Sequence, residues 1–135
     1  MQRLSIAMFL GTLIEFIGGR TGTKCVADPD GEKSPFYAVE LVKSEPADTK
    51  TCYVDSYEVW VHCISAPTSP YSSAPVLNMV TRLEEAMGGE LELPEPFWLF
   101  AQDYGGLQTL KRDGTGEGHA VLSFDFRVCY GFRCK

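Results

Sequence analysis

The sequence predicts an α+β protein: a four-stranded, mostly antiparallel sheet with two helices packed on one face and extended hairpin arms. Two segments place apolar residues at helical spacing, and four others are rich in β-formers. Their order along the chain is helix, strand pair, helix, strand pair. With 135 residues, of which 44% are hydrophobic and 22% charged, we expect a single folded domain over residues 1–135.

The first helix is predicted at about Ser5 to Ile17. Glu15 interrupts an apolar run that is already too short to cross a bilayer, so we expect no membrane or export role. The Gly18-Gly19-Arg20 segment is predicted to stop the helix. The apolar stripe that would lie on the sheet is Leu10, Leu13, Ile14 and Ile17.

The first strand pair is predicted at Phe36 to Lys43 and Cys52 to Ile64, an antiparallel hairpin with a polar tip at Ser44 to Lys50. The second strand has two distinct faces. Trp60 on the mixed face is either a contact residue for another chain or a side chain packed under a helix of its own subunit. The core face is Tyr57, Val59, Val61 and Cys63, and the mixed face is Glu58, Trp60, His62 and Ile64.

A second helix follows a loop that contains Pro67 and Pro70. Ser72 or Ser73 is predicted to cap it, with Pro75 in its first turn. Gly88 and Gly89 are predicted to end it. Its apolar stripe is Val76, Leu77, Val80, Leu83 and Met87.

The last part of the chain is predicted to form a short strand at Glu90 to Leu93 and then a hairpin. Its first strand is Phe97 to Tyr104, bent at Gly105-Gly106 before Leu107 to Leu110. The turn at Arg112 to Gly118, like the tip at Ser44 to Lys50, is longer than a hairpin needs, so both arms could reach a neighbour. In the final strand Leu122, Phe124, Phe126, Val128 and Tyr130 face one way, and Ser123, Asp125 and Arg127 face the other.

Composition excludes several function classes. A net charge of −6 and a pI near 4.8, with scattered basic residues, argue against a surface that grips nucleic acid. The five cysteines are expected to be reduced, as in a cytoplasmic compartment, and Cys129 and Cys134 are not expected to pair. His62 and Cys63 are adjacent on a strand and point to opposite faces, so they cannot share a metal. We predict no enzyme activity, catalytic residue, cofactor or metal.

The segment Tyr57-Glu58-Val59-Trp60-Val61, leading through Tyr71 and Ala74 into residues 76–83, together with the element order, resembles the small minor tail proteins of long-tailed bacteriophages. The resemblance is to the tail-terminator and tail-completion group at the head-to-tail junction. It implies a structural virion protein that forms a ring, usually a hexamer, which caps the tail tube and joins it to the head. The implied partners are further copies of the chain, the tail tube protein and a neck, stopper or connector protein, with DNA passing through the lumen without specific binding. The implied location is the virion, and the host cytoplasm during assembly.

A ring needs heterologous contacts, in which one patch of a subunit meets a different patch of the next. The mixed strand face, the two arms and the loop before the second helix are the candidates. The predicted interface residues are Asp48, Lys50, Glu58, Trp60, His62, Tyr71, Lys111, Arg112 and Glu117.

Two alternatives stay open. An adaptor, stopper or tail-completion protein of the same neck would share the resemblance. From a different class, a stand-alone cytoplasmic α+β protein could bind a small ligand or peptide against an aromatic patch. That patch would be Trp60, Phe97, Trp98 and Phe100.

Overall fold

The computed structural model describes residues 2–68, 72–112 and 114–133. Its strands form one sheet in the order β1-β2-β3-β5-β4, with β1 parallel to β2 and every other neighbouring pair antiparallel. The α+β class and both hairpins are confirmed. The predicted count of four strands is wrong, because the two-residue β1 is too short to produce a periodic pattern. The elements are α1 Ile6–Thr21, β1 Cys25–Val26, β2 Phe36–Pro46, β3 Cys52–Ile64, α2 Ala74–Ala86, β4 Trp98–Arg112 and β5 Gly118–Phe132.

Both helices pack on the same face of the sheet, as predicted. Buried residues of α1 and α2 share one cluster with the predicted core face of β3 and with alternate residues of β5. On β3, this leaves Glu58, Trp60, His62 and Ile64 on the opposite face, half-buried. None of the described helices covers that side, which we call the open face. Trp60 therefore does not pack under a helix of its own subunit.

Helix α1 begins after Ser5, whose hydroxyl accepts a hydrogen bond from the Met8 amide at 3.1 Å. It ends at Gly22, which has a φ of 72° and donates its amide hydrogen to the Gly18 carbonyl. The prediction that Gly18 and Gly19 stop the helix is wrong. Glycine inside a helix costs about 1 kcal/mol relative to alanine but does not forbid helical geometry.

The predicted stripe of α1 packs against the core, with Leu13 and Ile17 fully buried and Leu10 and Ile14 partly buried. Phe9, which was not predicted, is fully buried as well. Helix α2 follows Ser73 with Pro75 in its first turn, as predicted. The predicted capping hydrogen bond to the Ser73 side chain does not form; the Ser72 hydroxyl accepts the Ala74 amide hydrogen at 3.2 Å instead. Its buried residues are Val76, Met79, Val80, Leu83 and Ala86. Leu77, predicted to lie in the core, is instead 43% exposed, on the side of α2 that faces away from the cluster.

The turn between β2 and β3 is compact, and the prediction of an extended arm at Ser44 to Lys50 is wrong. Strand β2 continues to Pro46, three residues beyond the predicted end, and the turn is tied to its surroundings. The Asp48 carboxylate accepts the Val54 amide hydrogen at 2.8 Å, and the Thr49 carbonyl accepts Arg133 Nη1 at 2.9 Å. Capping by Asp48 closes the turn without a projecting loop.

Residues 90–93 do not form the predicted strand. Their segment is held instead by Gln102 of β4, whose Nε2 donates to the carbonyls of Met87 and Gly89, each at 3.0 Å. Gln102 Oε1 accepts the Leu91 amide hydrogen, also at 3.0 Å. A polar side chain from a neighbouring strand has taken the place of strand pairing.

The two predicted pieces Phe97 to Tyr104 and Leu107 to Leu110 form a single strand, β4. The predicted bend is a bulge: the register with β5 shifts between Tyr104 and Gly106, and Gly106 has a φ of 92°. Strand β4 runs to Arg112 and β5 starts at Gly118, so the second predicted arm is reduced to residues 113–117, of which Asp113 lies outside the described residues. The predicted alternation in β5 is confirmed, except that Ser123 on the open face is also buried.

Cys25, Cys52, Cys63 and Cys129 are free thiols, and Cys134 lies outside the described residues. Burial raises the pKa of Cys25 and of Cys63 to about 12 in each case, so neither is a thiolate near neutral pH. Among the residues that the structure describes, no helix combines the length and the apolar character that a membrane span requires.

Candidate functional site

The sheet has two free edges of different character. Strand β4, fifteen residues long, pairs only with β5 among the described strands. At the other edge β1 covers only Tyr37 and Ala38 of β2, so no described strand pairs with the outer side of β2 from Glu40 to Pro46. Free strand edges present unpaired backbone groups and are natural sites for another chain to add.

On its helix side, β4 leaves three large apolar side chains exposed. Tyr104, Leu107 and Leu110 are 46%, 46% and 43% exposed, and we call them the apolar edge. Tyr104 stacks on Phe124 of β5, with ring centroids 5.0 Å apart, and its hydroxyl donates to the Glu84 carboxylate at 2.7 Å. Natural edge strands are usually protected by charges or coverage, so the exposed apolar edge is a candidate surface for another chain.

A second exposed apolar group lies near the start of β4 and the end of β5. Trp98 has its ring 6.0 Å from that of Phe100 and 6.2 Å from that of Phe132, centroid to centroid. All three residues are exposed. We call this group the aromatic corner.

The open face carries a row of carboxylates across three strands. Glu58 of β3 is paired in register with Asp125 of β5, which is paired with Asp103 of β4. Burial raises the pKa of Asp125, the charges of Glu58 and Asp103 raise it further, and Arg127 acts in the opposite direction. We call these three residues the acidic row.

Next to the acidic row, Trp60 has a buried indole nitrogen, and none of the described residues accepts a hydrogen bond from it. Trp60 pairs in register with Glu40 on one side and with Ser123 on the other. A buried donor without an acceptor costs about 1–3 kcal/mol, so such groups call for an explanation beyond the isolated fold.

Farther along the open face, His62 bridges two side chains. Its Nδ1 lies 2.9 Å from His119 Nε2, and its Nε2 lies 2.7 Å from Glu40 Oε1. Both ring nitrogens of His62 are thus engaged, and these residues border a cavity of about 380 Å³ that Pro29 also lines. No group of metal-ligating side chains occurs among the described residues.

The predicted interface residues fall into three separate places. Glu58, Trp60 and His62 lie together on the open face. Asp48 and Lys50 lie in the β2–β3 turn at one end of the sheet, whereas the other predicted group lies at the β4–β5 turn at the opposite end. That group is Lys111, Arg112 and Glu117, and Tyr71 lies outside the described residues.

The aromatic patch of the ligand-binding alternative is assembled only in part: Trp98 and Phe100 lie together in the aromatic corner, but Trp60 lies elsewhere on the sheet. Trp60 pairs with Ser123 and Trp98 with Cys129, six residues apart along β5, so the two indoles are roughly 20 Å apart. Phe97 packs against the core instead. The apolar edge was missed, and of the aromatic corner only Trp98 and Phe100 were named, because a sequence does not show whether an apolar strand is central or lies at an edge. The Gly105-Gly106 bulge was the one available signal for the edge.

Compared with known protein families, the sequence of this chain matches one of them. The sequence model described as "Putative tail termination protein" matches residues 1–135. The chain belongs to the family of phage tail-terminator proteins. It is thus a structural protein of a phage tail, as the sequence resemblance implied.

Among solved structures, the chain is similar to one from "Virion of native gene transfer agent (GTA) particle". The TM-score is 0.57 at 19% identity, and the match covers 91% of this chain and 92% of that one. A likeness at this identity establishes the shared fold. No curated protein matches the sequence.

Proposed function

We propose that this tail-terminator family member forms a closed ring, usually a hexamer in proteins of this kind, on the head-proximal end of the tail tube. The ring ends tube growth and presents a docking surface to a neck, stopper or connector protein. Its partners are further copies of itself, the tube protein and that neck protein. It acts without catalysis, in the host cytoplasm during assembly and at the head-to-tail junction in the virion.

The observation that carries this proposal is the pair of unlike free edges on one sheet. Edge β4 is long and exposes Tyr104, Leu107 and Leu110 beside Asp103, whereas the free part of β2 is shorter and carries Glu40, Lys43 and Glu45. Unlike patches on one subunit favour heterologous contacts, and repeated heterologous contacts close into rings when the rotation allows it. A two-fold dimer would need a single self-complementary patch instead.

The open face is suited to the lumen of such a ring. Both helices cover the other face, so the open face is the side of the sheet available to line a channel. Its acidic row, together with the net charge of −6, would repel a phosphate backbone. DNA could then pass through without being held.

Electron microscopy of particles assembled without this protein tests the proposal. We expect tails that are overlong or heterogeneous in length and are not joined to heads. Tails of normal length that fail to join would instead indicate an adaptor, stopper or tail-completion role. Normal virions would overturn the proposal altogether.

A further inference from the structure

We propose that copies of this chain join by strand addition: β4 of one copy pairs antiparallel with the free part of β2 in the next, placing Asp103 beside Lys43 of its neighbour. This inference rests on the proposed ring and specifies how the ring is closed. The occupant of each free edge is therefore a second copy of the same chain.

The topology fixes the direction of such pairing. Strands β2 and β3, β3 and β5, and β5 and β4 are each antiparallel, so β2 and β4 run in opposite directions within one sheet. Side-by-side copies related by rotation therefore bring β4 against β2 in the antiparallel sense. Antiparallel pairs are the commoner kind and need no crossover connection.

Charge on the open face matches at the two edges. One cross-strand row runs from Lys43 on β2 through Glu58 and Asp125 to Asp103 on β4. The row thus starts with a cation at one edge and ends with a carboxylate at the other, and level pairing of two copies sets these opposite charges side by side. The present partner of Lys43 is Glu45 at 3.3 Å, with both side chains more than half exposed, so that ion pair is weak and easily exchanged.

Apolar groups match on the helix side at the same level. The adjacent row runs from Leu41 on β2 through Val59 and Phe124 to Tyr104 on β4. Beside Leu41, Val42 lies where the β2–β3 register shifts and is 40% exposed, and Tyr104 is the first residue of the apolar edge. Level pairing brings Tyr104 of one copy to Leu41 and Val42 of the next, so both faces favour the same register.

Charge reversal tests the pairing in the full-length protein. Asp103→Lys alone and Lys43→Asp alone should each raise the concentration for half-assembly, measured by native mass spectrometry, by about tenfold or more. The double variant should return it toward the wild-type value. Glu95→Lys, an exposed charge reversal outside the sheet, should leave it unchanged. Rings that form equally well in both single variants would overturn the pairing.

Disulfide trapping tests the same pairing without the charge-reversal variants, in case one of them folds poorly. Within one copy, residues 43 and 103 lie three strands apart, roughly 14 Å, too far for a bridge. In a Cys134→Ser background, Lys43→Cys with Asp103→Cys should give covalent multimers on oxidation. Ser44→Cys with Asp103→Cys should not, because residue 44 faces the helix side.

The two proposals fail in different ways. Wild-type rings without trapped multimers would overturn the strand pairing and leave the ring standing. Wild-type protein that forms no ring, either free or on tail tubes, would overturn both.

Discussion

Replacing Gln102 with alanine should remove the contact that fastens the segment after α2 to the edge strand. The side chain makes three hydrogen bonds of 3.0 Å, two as donor and one as acceptor, all to backbone groups of residues 87–91. Each such bond contributes about 0.5–1.5 kcal/mol net, and its loss leaves part-buried backbone groups unpaired. We expect the free energy of unfolding to fall by about 2–3 kcal/mol, because water can reach some of these groups.

Urea denaturation followed by circular dichroism measures this change, with the slope of the transition checked for equality between variants. The matched control is Gln108→Ala in the same strand, whose exposed side chain bonds only to nearby carbonyls of Gly105 and Gly106. The control should lose less than about 0.5 kcal/mol. Equal losses in the two variants would refute the view that Gln102 replaces the missing strand at residues 90–93.

Three further changes test the packing and electrostatics. Gly118→Ala should destabilise the protein by about 1–3 kcal/mol, since the added Cβ would lie 2.7 Å from Val76 Cβ. Tyr37→Phe should cost about 1 kcal/mol, because the buried hydroxyl donates to the Met79 carbonyl at 2.7 Å. Asp125→Asn should raise the melting temperature at neutral pH. The pKa of Asp125 is raised in the folded protein, so folding disfavours the charged carboxylate. The charged carboxylate therefore lowers the stability at pH values above the ordinary aspartate range, and asparagine removes that charge.

Each of these has a control or a contrary result. Gly114→Ala, which meets no atom within 4 Å, should be close to neutral in thermal unfolding, and equal effects at 114 and 118 would contradict the clash. A Tyr37→Phe variant as stable as wild type in urea would show that the hydroxyl bond contributes nothing net. For Asp125→Asn, the gain should vanish at acidic pH, where Asp125 is protonated in both states; a gain that grows toward acid would reverse the sign of the reasoning.

The sequence was informative wherever a pattern was local and periodic. The two faces of β3, the alternation in β5 and most of the buried stripe of α2 were predicted because burial on one side imposes a period of two or 3.6 residues. The parts of the fold that were not predicted depend on contacts with residues far away in the sequence. Strand β1 exists only through pairing with β2, and residues 90–93 are held by a side chain from β4.

The candidate site was predicted in part for the same reason. Trp60, Glu58 and His62 could be placed on a face away from the core, since that assignment needs only alternation. The apolar edge could not be found, because an apolar strand looks alike whether it is central or at an edge, and the sheet order decides which it is. The prediction of a long arm at Ser44 to Lys50 was wrong because Pro46 and Asp48 were interpreted as loop residues. Pro46 instead ends strand β2, and the Asp48 carboxylate closes the turn that follows.

The measurement that tests the central claim most directly is a cryo-electron microscopy reconstruction of the head-proximal end of tails assembled with this protein. We predict a closed ring of copies of this chain seated on the last layer of the tube, with each sheet edge meeting a different edge of its neighbour. Tube ends that carry no copies of the chain, or only isolated unpaired copies, would contradict the account.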